Sequence, residues 1–280
     1  MVQILSRLGH ASVVFLEVIA LVWLGQKALE LAARVRFRQE LMVKDNPAAG
    51  VAAAGFYLSL FIALSGLLGG ESGTLAEDLI LVAIHGTGAI VAIVVSSFLW
   101  RPIVGVTLRE DILAARNLGA GLLSAAVLVA TGLVYRGAVN LVADHYTVVG
   151  VFFAIGEGAL LLYLLLYEWV TPYDVYEEIT AKTNIAAALS FAGATLAAGL
   201  ILGNAVQGVF STWQESVTEA LLYMIPLLAL PLVRILIVNG LFLGFGSVNR
   251  EVVEDRNAAA GLVEGASYVG IALFAIHLMG

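Results

Sequence analysis

Apolar residues fill this chain in eight long blocks separated by short polar breaks, at about 11–33, 47–68, 79–100, 118–135, 148–170, 185–203, 220–243 and 258–278. Roughly twenty apolar residues in a helix, at about 1.5 Å each, cross a hydrocarbon layer of about 30 Å. The blocks do not alternate polar and apolar residues as the strands of a lipid-facing barrel would. The pattern therefore predicts an all-α polytopic membrane protein with eight transmembrane helices. Pro226 and Pro231 fall inside the seventh block and predict a kink or break there.

The breaks are not arbitrary. Every second one carries the same pattern, anchored on Asn46, Asn117, Asn184 and Asn257. An acid stands six residues before each Asn: Glu40, Asp111, Glu178 and Glu251. An alanine follows three residues after it (Ala49, Ala120, Ala187, Ala260), and a small residue nine after it (Gly55, Ala126, Gly193, Ala266). The Asn spacings of 71, 67 and 73 define a repeat of one polar break and two spans, a helical hairpin. Four such hairpins make two equal halves, 1–140 and 141–280.

Helical spans place all four motif copies on one membrane face. That face also collects Arg34, Arg36, Arg38, Lys44, Arg101, Arg109, Arg116, Lys182, Arg250 and Arg256, against only Arg7 and Arg136 opposite. By the positive-inside rule the motif face is cytoplasmic and both termini lie on the other side. The first block reads as a retained helix, since Met1 to Arg7 lack a signal peptide with a cleavage site.

Composition narrows the function classes. Hydrophobic residues make up 61% of the chain and charged residues 12%, about half the share in soluble domains, so no polar stretch forms a separate catalytic domain. Cysteine is absent, which removes disulfides and thiolate metal sites. The histidines His10, His85, His145 and His277 have no metal-ligand spacing, and phosphate-loop, zinc-protease and nucleophile-elbow motifs are missing. The chain is expected not to be an enzyme, and to use no metal and no cofactor. Its expected surroundings are the lipid bilayer, with no nucleic acid; a homo-oligomer and a cytoplasmic protein partner both stay open.

Asn is a preferred helix N-cap, and each motif Asn sits where a break enters the next span, with Pro47 at the first helical position. The small residues that follow let spans approach closely. The four acids allow two readings: a ring of carboxylates at a cytoplasmic mouth, or local pairs such as Asp111 with Arg109 or Arg116, and Glu251 with Arg250 or Arg256.

Ionisable groups inside spans are costly and mark candidate function. Glu17 and Glu157 occupy comparable depths in the two halves, and Gly156 and Gly158 flank Glu157. His85 lies in the run His85, Gly86, Thr87, Gly88. Arg234 and Asn239 sit in the seventh span, and Glu264 in the eighth. Arg234 needs a carboxylate, which Glu17, Glu157 or Glu264 could supply. Together Glu17, Glu157, His85, Arg234 and Glu264 form a candidate ion pathway.

The stretches Glu40 to Gly55, Arg109 to Ala126, Glu177 to Gly193 and Glu251 to Ala266 resemble the domain of unknown function 350 family, bacterial YjfL-like inner-membrane proteins. Shorter members carry two such units, so this chain resembles a doubled version. The copies depart before the Asn, where Arg116, Thr183 and Arg256 replace Asp45. The resemblance implies a bacterial inner-membrane location and no established activity. Two functions are expected from the residues: a channel or transporter for protons or a small cation, or a scaffold or stress-response component that binds a cytoplasmic partner.

Overall fold

The computed structural model describes residues 2–67, 74–141, 145–208, 210–233, 236, 238, 240 and 247–279. Its long helices are α1 (Val2–Ala33), α3 (Pro47–Ser65), α4 (Leu75–Leu99), α6 (Leu118–Leu141), α7 (Tyr146–Val170), α9 (Ile185–Ala205) and α12 (Ala258–Met279), with α10 (Trp213–Tyr223) and α11 (Ile225–Val233) in the seventh span. Short helices α2 (Phe37–Met42), α5 (Arg101–Val104) and α8 (Val175–Thr180) join them on the motif side, with two π-helices, π1 (Leu108–Ala114) and π2 (Arg250–Glu254). Among the described residues eight helices are long and apolar enough to cross a membrane, and the chain is a multi-pass membrane protein.

Several boundaries move from the sequence reading. The fourth span continues past Tyr135 to Leu141, and the seventh starts at Trp213, seven residues before the expected 220. The seventh span is interrupted at Met224, directly before Ile225 and Pro226, so the proline effect lands one turn into its apolar part. Arg234 and Asn239 lie outside the described residues.

The helices that follow each Asn form the backbone of the fold. They stand in a row: α3 packs along α6, α6 along α9, and α9 along α12. The helices that precede each motif (α1, α4, α7 and the α10–α11 pair) each lean on the row helix of their own unit, and α4, α7 and α10 also on that of the unit before. α3 and α12 share no comparable interface, so the units form an open row and not a ring around one axis.

The row is held by bare backbone. A Cβ placed on Gly55 would stand 2.3 Å from the Cα of Ala125; one on Gly193 would stand 2.1 Å from the Cα of Gly265. Neither neighbour can swing aside, because both are main chain. Lipid tails are as apolar as side chains, so spans gain little from hydrophobic burial against each other and rely on this close van der Waals approach.

The motif itself explains how each polar break becomes the next span. Its short helix closes with a wide turn, in which Lys44, Ala115, Lys182 and Asp255 donate their N–H five residues back, to Gln39, Glu110, Glu177 and Arg250. The next residue is left-handed: Asp45, Arg116, Thr183 and Arg256 have φ between 48° and 54°. The Asn N–H then reaches back to the carbonyl of the acid six residues earlier, at 2.8–3.0 Å. This is a Schellman-like stop, one residue wider than usual because the last turn is π-type. Position minus one therefore shares a backbone conformation and no side-chain chemistry, which is why Asp, Arg and Thr all occupy it. A left-handed threonine is unusual for a β-branched residue and shows how strongly the turn is imposed.

Candidate functional site

Each motif Asn is bifunctional. Its side-chain oxygen caps the coming helix: Asn46 accepts from the amides of Ala48 and Ala49, Asn117 from Ala120, Asn184 from Ala186 and Ala187, and Asn257 from Ala259 and Ala260. Its amide group points the other way. Asn46 donates to the carbonyls of Ile112 and Leu113, Asn117 to those of Ile179 and Thr180, and Asn184 to that of Val252. Those carbonyls sit five and four residues before the next unit's Asn, so each of these three Asn fastens its own unit to the next. Capping was legible in the sequence. The fastening was not, since it depends on which unit stands beside which.

The acids at minus six are spent locally. Glu40 pairs with Lys44 at 2.7 Å and Glu178 with Lys182 at 2.7 Å, each a buried acid with an exposed lysine one turn on. Asp111 accepts from the N–H and hydroxyl of Thr107, and Glu251 accepts from Asn257 at 2.9 Å. Arg250 turns to Glu254 and Asp255. The expected pairs of Asp111 and Glu251 with arginines are thus replaced by a threonine and an asparagine.

Burial on its own would push the Glu178 carboxyl up, but hydrogen bonds from Asn184 and Lys182, with the charges of Lys182 and Arg256, hold it below the ordinary carboxylate value. A lowered folded value means this stabilisation is full above the unfolded value of about 4.3 and fades as pH falls through the folded one. Thermal unfolding in detergent should show wild type above Glu178→Gln at pH 6, with the gap narrowing as the pH falls below about 4.3. A gap that grows in acid would contradict this.

The polar groups within the bilayer gather along α7. Its buried face presents Gly156, Glu157, Leu160, Tyr163, Leu164 and Tyr167 at helical spacing. One oxygen of Glu157 accepts from the hydroxyls of Ser96 on α4 and Thr131 on α6, the latter at 3.2 Å, and the two hydroxyls are 3.0 Å apart. The other oxygen is also buried and receives no hydrogen bond among the described residues. Gly156 admits Val134 closely, whereas Gly158 faces open space, so only one of the flanking glycines serves close packing.

Toward the motif side, six residues or about 9 Å of helix further, lie Tyr163 and then Tyr167. Tyr167 is 3.1 Å from the hydroxyl of Ser190 on α9 and packs against Tyr268 on α12. Glu264, fully buried one turn before Tyr268, is within electrostatic reach of Tyr163. Toward the other side, Tyr135 donates to the carbonyl of His85 at 2.9 Å, and the His85 and Tyr146 rings lie 5.4 Å apart. Glu17 is half-buried on α1. The expectation that Glu17, Glu157 or Glu264 neutralises Arg234 falls on a residue that lies outside the described ones.

Of the proposed pathway residues, Glu157, His85 and Glu264 line this strip and Glu17 does not join its hydrogen bonds. Ser96, Thr131, Tyr163, Tyr167, Ser190 and Tyr268 belong to it and were missed. Hydroxyl residues are common in spans, so no sequence signal separates these from the rest.

The family model of Domain of Unknown Function (DUF350) matches residues 3–139 and again 140–279. The chain belongs to this family. It carries two tandem DUF350 copies, each of two hairpin units, as the repeat spacing required. No curated protein and no solved structure matches it. Within the structure the DUF350 boundary at 139/140 falls near the end of α6, yet α6 and α9 pack as closely as the row helices inside either copy. The two copies are therefore continuous through the row.

Proposed function

We propose that this DUF350 protein moves protons or a small cation across the bilayer, with Glu157 as the temporary binding group. The carrying observation is a carboxyl group deep in a span, satisfied on one oxygen by Ser96 and Thr131 and open on the other. A purely structural carboxyl would be expected to be paired on both oxygens, since an unsatisfied buried one is costly. The hydroxyls and ring edges along α7 supply relay groups on both sides of it. On the motif side, taken as cytoplasmic from its basic residues, Glu264 and Tyr163 would receive the ion. The reading is of a transporter or channel.

Purified protein in proteoliposomes, scanned with proton, potassium and sodium gradients, tests this. Glu157→Gln keeps an oxygen that accepts from Ser96 and Thr131, so folding should stay within about 1 kcal/mol of wild type while flux is lost. Wild-type protein that is folded but passes none of the three ions would sink the proposal.

A second reading has its own observation. An open cleft of about 660 Å³ on the motif side is lined by Arg34, Arg36, Lys44 and Arg109 beside Glu30 and Glu40. Such a mixed-charge cleft suits a protein partner, and a folded chain without flux would direct the search there.

A further inference from the structure

The row of units ends on two unused halves of the contact that holds it together. Two contacts recur at every internal junction, and a third is seen at the first and the last. The Asn amide of one unit donates to carbonyls five and four residues before the next Asn. The residue four after the next Asn lies on the residue two after the first: Gly121 on Ala48, Ala188 on Gly119, Gly261 on Ala186. Nine after one Asn meets eight after the next, Gly55 with Ala125 and Gly193 with Gly265.

At the last unit the giving half is bare. Asn257 is exposed and, among the described residues, donates within its own unit, to Glu251, whereas Asn46, Asn117 and Asn184 are all buried. Ala259 is exposed although its counterparts Ala48 and Ala186 have no exposure, and Ala266 is exposed where Gly193 is buried. At the first unit the receiving half is bare. Among the described residues no Asn amide donates to the carbonyls of Leu41 and Met42. A Cβ on Gly50 would meet only Leu41 of its own unit, and Ala54 is exposed. α1 rests on Phe56 and Leu60, a different stripe of α3, and leaves Gly50, Ala54 and Phe61 uncovered. Deeper in the bilayer the internal pairs are Gly132 on Ser59 and Gly199 on Ala130; here Phe61 would meet Gly270, whose exposed surface has nothing within 4 Å and can seat a ring.

We infer that a second copy of this chain completes the row, with unit four of one copy docked on unit one of the next through Asn257, Ala259 and Ala266 against Leu41, Gly50 and Ala54. The occupant follows from continuity with a contact the chain already makes at each internal junction. Both halves lie on the same membrane face, so two copies meet side by side with the same orientation. The contact is heterologous, and the rotation between copies sets whether the assembly closes or extends. It is independent of whether the protein conducts ions.

The cysteine-free chain makes the test direct. Ala54→Cys and Ala266→Cys, carrying different tags, are expressed separately and together, and membranes are oxidised with a membrane-permeant catalyst. Labelling with a permeant maleimide first shows that both thiols react. The expected result is a cross-linked dimer containing both tags in the mixture and no cross-link in either variant alone, because each end meets only the opposite end. Cross-linking of one variant with itself, or no cross-link in the mixture, would overturn the inference.

Discussion

Gly193→Ala is expected to lower stability by roughly 2–3 kcal/mol, although alanine is the better helix former by about 1 kcal/mol. The new Cβ would stand 2.1 Å from the Cα of Gly265 and 2.4 Å from its carbonyl carbon and oxygen. Side chains usually relieve such contacts by changing rotamer, but here the obstacle is main chain on a helix packed along its length. α9 and α12 would have to move apart at this crossing, and the cost would extend to Gly261, which lies close on Ala186. Gly158→Ala provides the contrast. Its Cβ meets nothing within 4 Å, so only the helix-propensity gain remains and stability should hold or rise slightly. Thermal unfolding in detergent, followed by circular dichroism, checks both. A Gly193→Ala chain as stable as wild type would show that the row tolerates separation and that close approach is not what holds it.

The second large effect is expected at Asn184. Replacing it with alanine removes the cap of α9, worth about 1 kcal/mol. It also takes a donor from the buried carbonyl of Val252 and from Glu178, and a buried group left unsatisfied costs about 1–3 kcal/mol more. The sum is a loss of roughly 2–4 kcal/mol, measurable in the same unfolding assay. Asn257→Ala in detergent-dispersed single chains should lose only the cap portion, because Asn257 fastens nothing within the chain. Asn184→Asp separates the two roles. It keeps the capping acceptor but places a second carboxylate against Glu178 and the Val252 carbonyl, so it should be no better than alanine. Equal losses at Asn184 and Asn257 would mean that capping is the whole of the motif's contribution.

The same two residue types explain why much of the fold was readable in advance. Spans, repeat and capping all follow from local rules. Twenty apolar residues must satisfy their own backbone as helix, and Asn before a run of alanines is favoured to begin one whatever surrounds it. The acid column was legible as a pattern, but its cause lay in the backbone. The wide turn sets the six-residue distance through a main-chain hydrogen bond, so acid side chains at that position are free to pair differently in each unit. Glu40 and Glu178 take lysines, Asp111 a threonine and Glu251 an asparagine.

The candidate pathway divides along the same line. Glu157 stood out because a charge in a span is expensive wherever it points. Its partners Ser96 and Thr131 did not, since they come from the two helices of another unit and hydroxyls can always bond their own helix instead, as Ser59 and Thr87 do. By itself the sequence determined the membrane class, the helical hairpin repeat, the caps and the acids worth testing, because each depends on a residue and its near neighbours. Only the tertiary structure decided that the units stand in an open row, that Asn46, Asn117 and Asn184 each tie one unit to the next, and that hydroxyls of α4 and α6 meet Glu157 on α7. Those facts depend on which faces touch, and chains of small residues leave many faces equally able to do so until backbone-to-backbone fit selects one.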